Sequence, residues 1–159
     1  MSKYSRDKGQ RGEREVCHLL SEHLNRPISR ELGASRDGGC DIKVTMGAFV
    51  YYLEVKLYRK ITQANVADWW EQAKRQTEEH GKDNLNPIPI LIYRQSHWKY
   101  WEVVIPLNYM LWQLSATKYK MKDEVAPRIT TDLKYLTHLM LLDTDSTISK
   151  GTMDIYIER

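Results

Sequence analysis

A strand-like run, Tyr51-Tyr52-Leu53-Glu54-Val55-Lys56-Leu57, narrows what this chain can build, because successive side chains of a strand point to opposite faces. Tyr51, Leu53, Val55 and Leu57 make one wholly apolar face, while Glu54 and Lys56 share the other. A carboxylate and an ammonium side by side on an otherwise buried strand are costly unless they are paired, metal-bound or catalytic. The pair is therefore a candidate site. An E-x-K triplet occurs roughly once by chance in a chain of this composition, so its surroundings decide the matter.

Those surroundings are bounded by length and composition. A chain of 159 residues fits one domain with a real core and leaves little room for a second, so residues 1–159 are expected to form a single unit. Hydrophobic residues make up 42% and charged residues 28%, an ordinary globular balance, and no apolar run reaches the length a bilayer crossing needs. The N-terminal residues lack the apolar segment of a secretory signal, and two cysteines cannot make a disulfide framework. The expectation is a soluble protein of the reducing cytoplasm, the host's cytoplasm if a phage encodes it. A net charge of +3 permits nucleic-acid binding without announcing it.

A basic lead containing Lys3, Arg6, Lys8 and Arg11 runs into a helical pattern from about Gly12 to Asn25, which Pro27 helps to end. At about 100° per residue, Glu13 falls in the direction of Cys17, Leu20 and Leu24, whereas Arg14 and Glu15 point away. Glu13 thus faces the body of the protein, although a solvated first-turn glutamate is the plain alternative. Ile28 to Arg30 reads as a short strand or extended entry, and Leu32 to Gly39 as a glycine-bearing loop that can bring Arg36 to a phosphate. Cys40 to Thr45 and the strand at Tyr51 suggest a hairpin across Met46-Gly47-Ala48, with Asp41 at a strand mouth. A solvated turn aspartate is the alternative there.

A second helix is predicted from about Ala64 to Glu79, burying Val66, Trp70, Ala73 and Thr77, with Gln72 and Gln76 at the edge of that stripe. These two amides are placed to meet DNA or a metal-bound water. Two strands follow, Ile88 to Tyr93 and Tyr100 to Ile105, and then helical residues from Leu107 to Leu114. Leu133 to Leu142 fits either helix or strand, and Met153 to Ile157 looks like a terminal strand. The order of helix, three strands, helix and two strands points to an α/β protein with a mixed sheet flanked by helices.

Glu13, Asp41, Glu54 and Lys56 converge in this reading. The segments that carry them are Lys8-Gly9-Gln10-Arg11-Gly12-Glu13-Arg14-Glu15, Gly38-Gly39-Cys40-Asp41-Ile42 and Leu53-Glu54-Val55-Lys56. In order and spacing they resemble the PD-(D/E)xK nuclease superfamily, most closely its archaeal-type Holliday-junction resolvases and related phage endonucleases. Gln72-Ala73-Lys74-Arg75-Gln76 and the apolar run after Pro87 are similar to the later part of phage relatives. The resemblance covers about residues 8 to 106, and 107–159 is an extension of open role. Cys40 stands where the motif's name has proline.

The resemblance implies a restriction-endonuclease-like mixed β-sheet with core order α-β-β-β-α-β and a DNA endonuclease that hydrolyses phosphodiester bonds with Mg2+, for which Mn2+ can substitute. It makes Glu13, Asp41, Glu54 and Lys56 the catalytic set. Asp41, Glu54 and the Val55 backbone carbonyl would hold the metal, and Glu13 would complete a second metal site. A small hard cation takes one or two carboxylates and keeps several waters, and Lys56 would orient the attacking water and offset charge at the phosphorus. Lys8, Arg11, Arg14, Arg30 and Arg36, with Gln72 and Gln76, are the expected DNA-binding residues, their cations giving salt-sensitive phosphate contacts. A four-way junction has near two-fold symmetry, so a homodimer acting on branched DNA in recombination or phage DNA processing is expected. A less selective nuclease or nickase, or a noncatalytic DNA-binding or assembly protein on the same fold, are the alternatives.

Competing chemistry is thin. Cys17 and Cys40 lack C-x-x-C spacing and the histidines are scattered, which argues against a structural zinc site. Cys17 and His18, adjacent on a helix, diverge too far to act as a nucleophile and base. No phosphate-cradling Gly-x-x-x-x-Gly-Lys loop exists, so no nucleotide cofactor is expected.

Overall fold

The computed structural model describes residues 3–31, 39–84, 86–114 and 128–143. Arg36, most of the lysine-rich stretch before Arg128 and the expected terminal strand Met153–Ile157 lie outside them. Helix α1 spans Lys3–Leu24, so the basic lead is helical and the helix starts well before Gly12. Gly12 reads locally as a breaker, yet it is the point where α1 presses on the sheet: an added Cβ would stand 3.1 Å from the Leu57 Cβ and 3.3 Å from the Trp101 ring. Val16, Cys17, Leu20 and Leu24 bury the stripe below it. The helix stops at Asn25, whose φ of +49° leaves the helical region, a conformation asparagine tolerates better than most residues.

Strands β1 (Ile42–Met46) and β2 (Phe49–Tyr58) form the expected antiparallel hairpin. Helix α2 (Gln63–His80) then crosses over to β3 (Pro87–Gln95), which pairs with β2 in parallel, as a parallel neighbour requires. Strand β4 (Glu102–Pro106), helix α3 (Leu107–Leu114), strand β5 (Arg128–Asp132) and helix α4 (Leu133–Leu142) complete the described chain. The sheet order is β1-β2-β3-β4-β5, with only the β2–β3 pair parallel. This is the mixed α/β sheet flanked by helices that the sequence suggested. One detail of the expected α-β-β-β-α-β order changes: the strand at Ile28–Arg30 shrinks to a single bridge from Arg30 to Ile42. Its backbone is drawn to the helix instead, where the Ile28 N–H donates to Ser21 Oγ at 2.9 Å.

The main core lies between the sheet and helices α1 and α4, where Leu20, Leu53, Ile92, Ile105, Leu136 and Leu139 are almost wholly buried. A smaller cluster of Val66, Trp70, Ala73, Leu91, Tyr93 and Val104 sits under α2 on the other face. Leu133, Leu136, Leu139 and Met140 recur at helical spacing, and Asp132 caps the start of α4 by accepting from the Tyr135 N–H at 2.7 Å. The segment that fitted either helix or strand is thus a core helix. No described helix is long and apolar enough to cross a membrane.

The hairpin turn is tied to the end of α4. Gly47 has φ of +55°, and a Cβ added there would fall 2.0 Å from the Asp143 carbonyl oxygen. Tyr51 and Tyr109 hydroxyls both donate to Asp143 Oδ2, the second at 2.9 Å. Gly47→Ala combines a left-handed backbone with a steric collision and is expected to cost about 2–4 kcal/mol. Urea titration would register this as a lower midpoint, and an unchanged midpoint would mean that the hairpin and α4 separate freely.

Candidate active site

The alternation of β2 sends Tyr51, Leu53, Val55 and Leu57 into the main core and turns Glu54 and Lys56 to the opposite face. Glu54 is only 3% exposed, so its charge needs compensation on the spot. Lys56 Nζ pairs with Glu54 Oε1, and Gln72 of α2 donates to the same oxygen at 2.8 Å. Glu54 Oε2 takes no hydrogen bond among the described residues.

Asp41 lies just before β1, one position past the last rung, Ile42 with Leu53, and hence opposite Glu54. Its backbone N–H donates to the Leu53 carbonyl at 3.0 Å, while its own Oδ2 accepts the Val55 N–H at 2.8 Å. The carboxylate is therefore folded against β2 with Oδ1 unbonded among the described residues. Burial pushes Asp41 up to about 7, the Glu54 charge adds to that, the Val55 N–H opposes it, and Glu13 raises it further. A pair of crowded carboxylates, each with one oxygen anchored and one available, is a donor set suited to a small hard cation. Among the described residues no three His, Cys, Asp or Glu side chains close into a cage, so Asp41 and Glu54 are the donors that face each other.

Glu13 points toward this region, as its helical direction predicted, and its Oε2 accepts from Arg30 Nε. Both side chains are largely buried, at 14% and 21% exposure. Arg30, expected on DNA, is thus held by Glu13, and Glu13 meets a cation of the protein's own. Gln72 and Gln76 also turn inward: Gln72 holds Glu54, and Gln76, 9% exposed, donates to the Gly39 carbonyl at 3.1 Å while its own Oε1 lacks a partner. Their amides orient the Glu54 and Asp41 segments from within, since a buried amide finds its partners in the protein. Lys8 is partly buried, Arg11 and Arg14 are exposed, and Arg14 bonds Gln10 at 3.1 Å.

Glu15 departs from its expected outward direction. It accepts both Arg94 guanidinium nitrogens, at 2.6 and 2.8 Å, and the Trp101 indole N–H at 3.2 Å, while Arg94 stacks 4.5 Å over the Trp101 ring. Helix α1 lies so close at Gly12 that its flank, not only its apolar stripe, meets the ends of β3 and β4. The arginine lies 79 residues further along the chain, so no local pattern announces the pairing. Cys17 and Cys40 are buried, which pushes their thiols up to about 11 and about 12 and keeps both un-ionised at neutral pH.

Against known proteins, the profile of a family described as "Phage putative PDDEXK endonuclease" matches residues 4–153. No curated protein gives a significant match. Among solved structures, the chain is similar to the Holliday junction resolvase Hjc of the archaeal hyperthermophile Archaeoglobus fulgidus, at 17% identity, covering 82% of this chain and 98% of that one, with a TM-score of 0.46.

Proposed function

The chain belongs to the phage PDDEXK endonuclease family, and from that premise we propose that it is a divalent-metal-dependent DNA endonuclease that resolves four-way junctions. The observation that carries the reading is the meeting of Asp41 with Glu54 and Lys56 on one strand. Asp41 is fixed by the Val55 N–H, and Glu54 by Lys56 and Gln72, which leaves Oδ1 and Oε2 to receive a cation. Magnesium suits these oxygens, with manganese as a substitute, and the Val55 carbonyl completes the expected ligand set. When bound, the ion supplies electrophilic polarisation of the phosphoryl oxygen and a lowered pKa for nearby water.

The protein's own groups do the positioning. Lys56, anchored by Glu54, presents a fixed ammonium to the attacking water and to the negative charge that grows on the phosphoryl oxygens. Gln72 keeps Glu54 from rotating away. Glu13, held by Arg30 through Oε2, adds negative field at Asp41, and its Oε1 is the oxygen left to meet a second ion. A homodimer acting in the cytoplasm would set two such sites on the two-fold-related strands of a junction.

Purified protein with magnesium, incubated with synthetic four-way junctions, flaps and linear duplex, is expected to make symmetric paired nicks in the junctions alone. Comparable cutting of linear duplex would instead assign the same residues to a less selective nuclease.

A further inference from the structure

Beyond the carboxylates, the far end of β2 gathers positive charge that the cleavage site does not use. Helix α1 crosses β2 at Gly12 and Leu57. Lys8 and Arg11, three residues apart on one face of that helix, lie within a turn of the crossing. Arg59 is exposed and follows Tyr58, the last residue of β2. Its backbone is anchored there, because Ser96 donates to the Tyr58 carbonyl through both its N–H, at 2.8 Å, and its Oγ, at 3.0 Å.

The Lys8 ammonium is held below its ordinary pKa, by partial burial first and then by the charges of Arg11 and Arg59. Arg30, Lys56, Lys74 and Arg94 each pair with a glutamate. Lys8, Arg11 and Arg59 pair with no carboxylate among the described residues. Cations collected without a counter-charge repel, and an arriving anion removes that conflict.

We propose that Lys8, Arg11 and Arg59 form a single seat for a backbone phosphate of the DNA strand being cut. This rests on the nuclease reading and adds to it a residue, Arg59.

The test is a salt titration of DNA binding by the full chain, followed by fluorescence anisotropy with EDTA present so that the DNA stays intact. The triple alanine variant is expected to reduce the slope of log K against log salt by about 0.9, the loss of one neutralised phosphate, and Arg59→Ala by part of that. Arg59→Lys keeps the wild-type slope. Single neutral methylphosphonate linkages, placed in turn on each side of the mapped cut, should weaken wild-type binding at one position. The same linkage should leave the triple alanine variant unaffected. An unchanged slope in the triple variant, or linkages that weaken wild type and the triple variant alike, overturns the seat while the nuclease reading stands. Wild-type protein that neither binds nor cuts DNA overturns that reading itself, and the seat with it.

Discussion

Asp41→Asn is expected to lower phosphodiester cleavage by at least about a thousandfold while DNA binding changes by less than about threefold, and Lys56→Ala to do the same. The substitution at Asp41 keeps the shape that accepts the Val55 N–H and removes the charge that would hold a cation beside Glu54. It also relieves the crowding of two carboxylates, so the variant should fold at least as well as wild type. Lys56→Ala is harsher. It leaves Glu54, 3% exposed, with Gln72 as its remaining donor, and breaking a buried pair from one side destabilises by about 3–5 kcal/mol. Its activity must therefore be compared at equal folded fraction, measured by circular dichroism. Single-turnover cleavage on the preferred DNA substrate is the readout, and a wild-type rate in folded Asp41→Asn would remove these residues from the chemistry.

The second large effect is on the pH dependence of the metal-free protein. Burial and neighbouring charges push Asp41 from 3.8 to about 7, and burial does the same for Asp143. Between those values the folded chain binds protons that the unfolded chain has released. Stability contributed by a raised carboxyl is complete below the unfolded pKa and disappears as pH climbs through the folded one. The metal-free melting temperature should therefore fall between pH 4 and pH 8 by on the order of 5 °C or more, and Asp41→Asn should flatten part of that slope. A divalent cation added at pH 8 binds the ionised pair and restores stability, by about 2.7 kcal/mol at a hundred times its dissociation constant. Cleavage should rise with pH through the same range, its midpoint moving down as metal concentration increases. A melting temperature that climbs from pH 4 to 8 without metal, or a slope untouched by Asp41→Asn, would contradict this account.

How far these features can be seen in the amino acids depends on the range of the forces involved. The period-two alternation at Tyr51 to Leu57 reveals the strand, its buried face and the shared side of Glu54 and Lys56, because pleat geometry is local. The direction of Glu13 follows from helical spacing for the same reason. The start of α1 is hidden, since Lys3 to Arg11 lacks an apolar period and Gly12 looks like a stop until Leu57 and Trp101 are seen against it. Helix α2 begins at a capping box in which Asn65, rather than the usual glutamate or glutamine, reaches back to Thr62, so the signal is muted. Strand β5, Arg-Ile-Thr-Thr-Asp, is a partly exposed edge with too little apolar contrast to stand out. The pairs Glu13 with Arg30 and Glu15 with Arg94 join residues 17 and 79 positions apart, and only the assembled sheet brings them together.

The tie between Asp143 and Tyr51 has a consequence for synthesis. Ribosomes deliver β2 early, with α1 already made to pack on its apolar face, whereas the carboxylate that hooks its tyrosine emerges 92 positions later. A nascent or prematurely terminated chain ending before Arg128 lacks β5 and α4, and the part of the core that Leu136, Leu139 and Met140 fill stays open to water. The Tyr51 hydroxyl of such a fragment lacks its carboxylate acceptor, so the hairpin is joined to the finished core only once α4 has been made.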